Sequence, residues 1–73
     1  MGINLKIARI KKGMTQFEVA KSAHMSYNTY NKFEQGIGTD NIRLGQMKRI
    51  SEVLGVSIKE LFFSDEQEMI YSY

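Results

Sequence analysis

Four polar side chains, Tyr27, Asn28, Asn31 and Lys32, recur at helical spacing directly after Ser26. An asparagine amide carries a donor and an acceptor side by side, the pattern that matches the N6 and N7 edge of adenine. Lys32 lies one turn on from Asn28 and suits guanine O6 and N7, or a phosphate. Tyr27 would sit at the tip of the helix, where an exposed aromatic ring suits a thymine methyl or a phosphate. Asn31 shares the same face. Each residue also has a plainer reading. Asn28 can complete a helix N-terminus, Lys32 can be a solvated lysine, and Tyr27 can pack against the preceding turn. Thr15 and Gln16 stand at the start of another helix, where unpaired N–H groups and the helix dipole favour a phosphate. Simple capping is compatible with that role.

Other chemistry is missing from the chain. It has no Cys and a single His, so neither a thiolate nor a clustered-imidazole metal site can form. No nucleophile–base pair, metal set or glycine-rich phosphate loop occurs. The expectation is a protein that is not an enzyme, with no catalytic residues, no bound metal and no cofactor. His24 reads as a turn residue.

The elements that must hold these side chains follow from periodicity and capping. The first helix is predicted over about Leu5–Lys12, with Asn4 as cap, Gly13 as stop, and an inward stripe of Leu5 and Ala8 broadened by Ile7 and Ile10. The second is predicted over Gln16–Ser22. Thr15 and Glu18 form a capping box, and Val19, Ala20 and Ala23 point inward. His24 and Met25 make a tight turn into the third helix, Tyr27–Gln35. Ser26 caps that helix, Gly36 ends it, and Tyr30 and Phe33 face the core. Two helices joined in this way form the layout of a helix-turn-helix. After a loop over residues 36–42, a fourth helix is predicted over Leu44–Leu54 with Leu44, Met47, Ile50 and Leu54 inward. Gly45 weakens its first turn by about 1 kcal/mol relative to Ala. A fifth helix is predicted from Ile58 to Phe63, opened by Ser57 and Glu60. No strand alternation is present, so the fold class is all-α.

With 73 residues the chain makes one small domain with a core that is marginal by size. The predicted organisation is a domain over 1–63 and a short acidic and aromatic tail over 64–73. The tail joins Asp65, Glu66 and Glu68 to Ile70, Tyr71 and Tyr73, and is expected to contact a second subunit. Residues 1–36 carry Lys6, Arg9, Lys11, Lys12, Lys21 and Lys32 against Glu18 and Glu34, a net charge of +4, whereas the remainder carries −2. The basic half is the half with the paired helices, which suits an anionic partner. Lys11, Lys12, Lys21 and Arg43 can add attraction to a phosphate backbone. No apolar run approaches the roughly 20 residues of a membrane span, and no apolar signal segment opens the chain. A cytoplasmic location is expected, in keeping with the absence of cysteine.

The ordered set Lys12-Gly13-Met14-Thr15-Gln16, Glu18-Val19-Ala20, Ser26, Thr29, Glu34, Gly36, Leu54-Gly55-Val56-Ser57 and Glu60-Leu61-Phe62 resembles the lambda-repressor and Cro-like (XRE-type) helix-turn-helix family. The resemblance spans about Leu5 to Phe62. It implies a compact five-helix DNA-binding domain with helices two and three as the helix-turn-helix and the third helix in the major groove. It implies base contacts at Tyr27, Asn28 and Lys32, a phosphate contact at Gln16, and a salt bridge between Arg9 and Glu34. His24 departs from the family, which usually has Gly there at positive φ. Tyr30 replaces the usual Ile or Val, and its hydroxyl needs a partner, a route to the surface or a phosphate. The loop before the fourth helix is also longer than usual.

The expected function is a sequence-specific regulator of transcription that binds a palindromic double-stranded operator as a homodimer and represses by blocking polymerase. Its two recognition helices would lie about one DNA turn (~34 Å) apart. A small activator like the controllers of restriction–modification systems is the alternative. A further alternative is an antitoxin-like module whose main partner is a protein. No small-molecule ligand and no membrane are expected as partners.

Overall fold

The computed structural model describes residues 2–63 of the chain. Among them, four α-helices run in order: α1 (Gly2–Lys12), α2 (Gln16–Ser22), α3 (Tyr27–Gln35) and α4 (Leu44–Leu54). A 3-10 turn at Thr39–Asn41 lies in the loop before α4, and a π-helical turn at Lys59–Phe63 closes the fold. No strand occurs among the described residues. The fold is the expected all-helical one, and α2, α3 and α4 have the expected bounds. The proposed subunit contact of the tail, residues 64–73, lies outside the described residues.

Leu5 and Ala8 of α1, Val19 and Ala20 of α2, Tyr30 and Phe33 of α3, and Ile50 and Leu54 of α4 meet in one buried cluster, which Leu61 and Phe62 close from below. Each large apolar side chain taken fully from water contributes roughly 1.5–3 kcal/mol. The small residues Ala20 and Ala23 let α4 approach α2 closely. Arg49 then donates from Nε to the Ala23 carbonyl at 2.7 Å and ties α4 to the turn between α2 and α3.

Four expectations need correction. Helix α1 begins at Gly2, so Asn4 lies inside its first turn and does not cap it; Asn4 Nδ2 instead donates to the Glu60 carbonyl at 3.0 Å and fastens α1 to the closing turn. Ile7 and Ile10 are exposed, at 43% and 58%. Together with Ile3 they lie on the side of α1 opposite Leu5 and Ala8, which is where 100° per residue puts them. Leu44 is 61% exposed, because it sits about a quarter turn away from the line through Met47, Ile50 and Leu54. The last segment was expected to be α-helical and is wound as a π-helix.

The turn of the helix-turn-helix is a left-handed cap. His24 N donates to the Lys21 carbonyl at 3.2 Å and Met25 N to the Ala20 carbonyl at 3.0 Å, the paired bonds that close a helix around a residue at positive φ. That residue is His24, with φ 58°, where α1 uses Gly13 and α3 uses Gly36. A side chain with a Cβ is strained in this region. His24→Gly is therefore expected to raise stability by about 0.5–1 kcal/mol after the greater freedom of glycine in the unfolded chain is subtracted. Thermal melting checks this, and a fall in melting temperature would mean that the imidazole contributes a favourable contact.

Gly45 sits in the first turn of α4, and a Cβ built on it meets nothing closer than Arg49 Nη1 at 3.5 Å, an ordinary contact. Gly45→Ala is expected to stabilise the domain by about 0.5–1 kcal/mol through the lower entropy of the unfolded chain. A denaturant titration should show a higher midpoint with an unchanged slope.

Candidate nucleic-acid interface

Helix α3 starts at Tyr27 because Ser26 holds its first turn. Ser26 Oγ accepts from Thr29 N at 3.1 Å and donates to Thr29 Oγ1 at 2.8 Å. With the start fixed, the period of the helix puts Tyr27, Asn28, Asn31 and Lys32 on the face away from Tyr30 and Phe33. Asn28 and Lys32 are exposed, Tyr27 is exposed at the helix tip, and Asn31 is half-buried with its Oδ1 accepting from Gln35 Nε2 at 3.5 Å. Gln35 shares this face and was not singled out from sequence, although it stands at i+4 from Asn31. The four expected base-reading residues thus form one outward row.

A part-buried polar chain holds this row from behind. Arg9 of α1 and Glu34 of α3 form a two-pronged ion pair, Nε to Oε2 at 2.7 Å and Nη2 to Oε1 at 3.3 Å. The side chains retain only 13% and 3% of their exposure. Arg9 Nη1 also donates to the Met14 carbonyl at 3.0 Å, so the guanidinium reaches the turn between α1 and α2. Gln16 of α2 donates from Nε2 to Glu34 Oε1 at 2.9 Å, and its Oε1 accepts from the Tyr27 hydroxyl at 3.1 Å. The salt bridge implied by the family resemblance is present. Its extension through Gln16 to Tyr27 was not foreseen, because the partners are far apart in sequence.

Burial alone would push the Glu34 carboxyl up. Hydrogen bonds from Arg9 and Gln16, with the nearby Tyr30 hydroxyl and the adjacent guanidinium charge, outweigh it and hold the group below the ordinary carboxylate value. The same carboxylate raises Arg9, first by hydrogen bonding and then by charge. Burial, then the neighbouring Glu34, pushes the Tyr30 phenol up.

Tyr30 requires a correction. It is fully buried, and its hydroxyl makes no hydrogen bond of good geometry among the described residues, although it lies beside the Glu34 carboxylate. A group without exposed surface cannot meet a phosphate, so Tyr30 is a core residue whose polar end adjoins the ion pair.

The expected phosphate contacts sit differently from one another. Thr15 caps α2 in a reciprocal box: its Oγ1 accepts from Glu18 N at 3.1 Å, and Glu18 Oε1 accepts from Thr15 N at 2.8 Å. These bonds hold Glu18 below the usual carboxylate range. Gln16 is half-buried, but its amide nitrogen carries a second N–H beyond the one given to Glu34. Arg43 is exposed just before α4, and its backbone N–H donates to Gln46 Oε1 at 2.9 Å. The structure therefore brings Gln16 into contact with the α3 row, whereas Arg43 belongs to a separate element.

Two helices around a tight left-handed turn, the second with an outward polar row and a part-buried ion pair behind it, define a helix-turn-helix domain. A helix-turn-helix family model matches residues 5–61, and the chain belongs to that family, the XRE and lambda-repressor-like one. No curated protein and no solved structure matches the chain significantly. The family is one of DNA-binding proteins and not of enzymes, and the protein is a DNA-binding transcriptional regulator whose partner is double-stranded DNA. Among the described residues, no helix is long and apolar enough to cross a membrane, and no group of His, Cys, Asp and Glu is placed to hold a metal ion.

Proposed function

We propose that the protein is a repressor that binds a roughly palindromic operator as a homodimer. The carrying observation is the rigidly backed row on α3, with Asn28 and Lys32 exposed and Tyr27 fixed at the tip. Asn28 pairs with adenine, Lys32 reaches guanine or a phosphate, and Asn31 adds a contact between them. Thr15, Gln16 and Arg43 meet phosphates and set the register of α3 in the groove. Two copies related by a two-fold axis would place the helices in successive major grooves about 34 Å apart. Surface for a second copy is available, since Ile3, Ile7 and Ile10 leave an apolar stripe on α1 uncovered. The acidic and aromatic tail, residues 64–73, is the other element assigned to the subunit seam. Repression follows when the occupied operator overlaps a promoter. The concentration of the protein then sets the response, because dimerisation and DNA binding are linked.

Selection of bound duplexes from a random pool, at about 150 mM salt where non-specific attraction is weak, tests this reading. An inverted repeat with one fixed half-site spacing is the expected product. Enrichment of an unrepeated site would exclude the dimer. Absence of enrichment from a folded protein would favour the antitoxin-like alternative. A reporter carrying the enriched site upstream decides the sign, with reduced expression expected and increased expression pointing to an activator.

A further inference from the structure

The polar chain behind α3 has a direction, and the direction reaches the DNA-facing surface. Glu34 is an ionised carboxylate gripped by Arg9, so both of its oxygens can only accept. The Gln16 atom 2.9 Å from Glu34 Oε1 must therefore be the amide nitrogen. That choice fixes the amide, and its carbonyl oxygen turns to the Tyr27 hydroxyl at 3.1 Å. A carbonyl oxygen cannot donate, so the hydroxyl gives its single proton to Gln16. Only lone pairs remain on the Tyr27 oxygen for an outside partner. Tyr27 is 43% exposed at the first position of α3, the end of a recognition helix that meets base edges.

We infer that Tyr27 reads a base as a hydrogen-bond acceptor and so selects an exocyclic amino group, adenine N6 or cytosine N4, on the strand it faces. Gln16 and Glu34 are positioning residues that impose this polarity. Guanine O6 and N7, thymine O4 and phosphate oxygens are acceptors, and the committed hydroxyl has no proton for them. The phosphate expectation for Tyr27 is replaced accordingly. The inference rests on the reading of α3 as the helix that faces base edges.

The test compares selections from a random duplex pool by the wild type, Tyr27→Phe, Gln16→Leu and Asn28→Ala. One half-site position should hold adenine or cytosine in the wild type and lose its preference in Tyr27→Phe. Gln16→Leu removes the acceptor and frees the hydroxyl proton, so guanine and thymine should become acceptable at that same position. A Gln16 that only touches phosphate would lower affinity for all sequences alike and leave the preference intact, which would overturn the positioning role.

Nucleobase analogues provide a second readout that needs no core variant. Replacing the selected adenine by purine, or the selected cytosine by its 4-deamino analogue, deletes only the amino group. Wild-type affinity should fall roughly threefold to tenfold, the worth of one hydrogen bond, and Tyr27→Phe should be indifferent. Wild-type affinity unchanged by the analogue at the Tyr27-dependent base pair would overturn the inference. If Asn28→Ala alters the selected sequence while Tyr27→Phe does not, the inference fails and the α3 reading stands. If neither variant alters it, the α3 reading itself fails.

Discussion

Glu34→Ala is expected to lower the stability of the domain by about 2–4 kcal/mol, and its melting temperature by more than about 10 °C. Removal of one member of a buried ion pair leaves the other charge with its desolvation cost and without its partner. Here the orphan is Arg9, whose side chain keeps 13% exposure and the Met14 carbonyl as a remaining acceptor, so the loss falls below that of a fully buried charge. Gln16 loses its anchor in the same step, and the Tyr30 hydroxyl loses the anionic neighbour beside it. Replacing both charges, with Arg9→Met and Glu34→Leu together, should recover much of the stability, because an apolar pair carries no desolvation penalty. Thermal unfolding followed by circular dichroism measures both, and a melting temperature unchanged in Glu34→Ala would contradict the structural role of the pair.

The same carboxylate gives stability a pH dependence of known sign. Against the opposing effect of burial, the folded-state pKa of Glu34 is depressed by its hydrogen bonds from Arg9 and Gln16, with the Tyr30 hydroxyl nearby. Its contribution is therefore fully present above the unfolded carboxylate value, about 4.3, and is lost as pH falls through the folded value. Glu34→Gln should show a flatter acid limb than the wild type between about pH 5 and 3, which denaturant unfolding at stepped pH would reveal.

The second large effect concerns the α3 row proposed to face DNA. Asn28→Ala should weaken binding to the selected operator by roughly 5–150-fold, corresponding to about 1–3 kcal/mol for one bidentate amide–base pair. Non-specific binding should stay nearly unchanged, because Asn28 carries no charge. Lys32→Ala behaves differently if its ammonium sits on a phosphate: affinity falls for all sequences, and the slope of log affinity against log salt decreases in magnitude by about 1. If Lys32 sits on guanine, preference at one position relaxes as well. Titrations at several salt concentrations, against the operator and a scrambled duplex, separate these behaviours. Equal losses on both duplexes for Asn28→Ala would remove it from the base-reading row.

Much of this interface was legible because the residues that bound each helix are local. Thr15 with Glu18, Ser26, Gly36 and Gly55 punctuate the chain, and α2, α3 and α4 have the bounds those residues announce. Once Ser26 fixes where α3 begins, period alone sorts Tyr27, Asn28, Asn31 and Lys32 from Tyr30 and Phe33. The start of α1 was not legible, since Asn4 imitates a cap while serving a carbonyl of the closing turn. Burial of Ile7, Ile10 and Leu44 was misjudged because period gives a stripe but not the sector that neighbouring helices cover. Gln16 was read from its place at a helix start. Nothing local reveals that a carboxylate on α3 would orient its amide, and only the assembled fold brings Glu34, Gln16 and Tyr27 into one chain. Arg49, which braces the turn through the Ala23 carbonyl, was missed for the same reason.

Backbone amide shifts of isotope-labelled protein, recorded during titration with the selected duplex and with a scrambled duplex of equal length, address the role of α3 most directly. The largest operator-specific shifts should fall on Tyr27, Asn28, Asn31 and Lys32, with changes at Thr15 and Gln16 common to both duplexes. Operator-specific shifts centred instead on the Ile3, Ile7 and Ile10 face of α1, with the α3 row unmoved, would contradict the assignment of α3 as the reading helix.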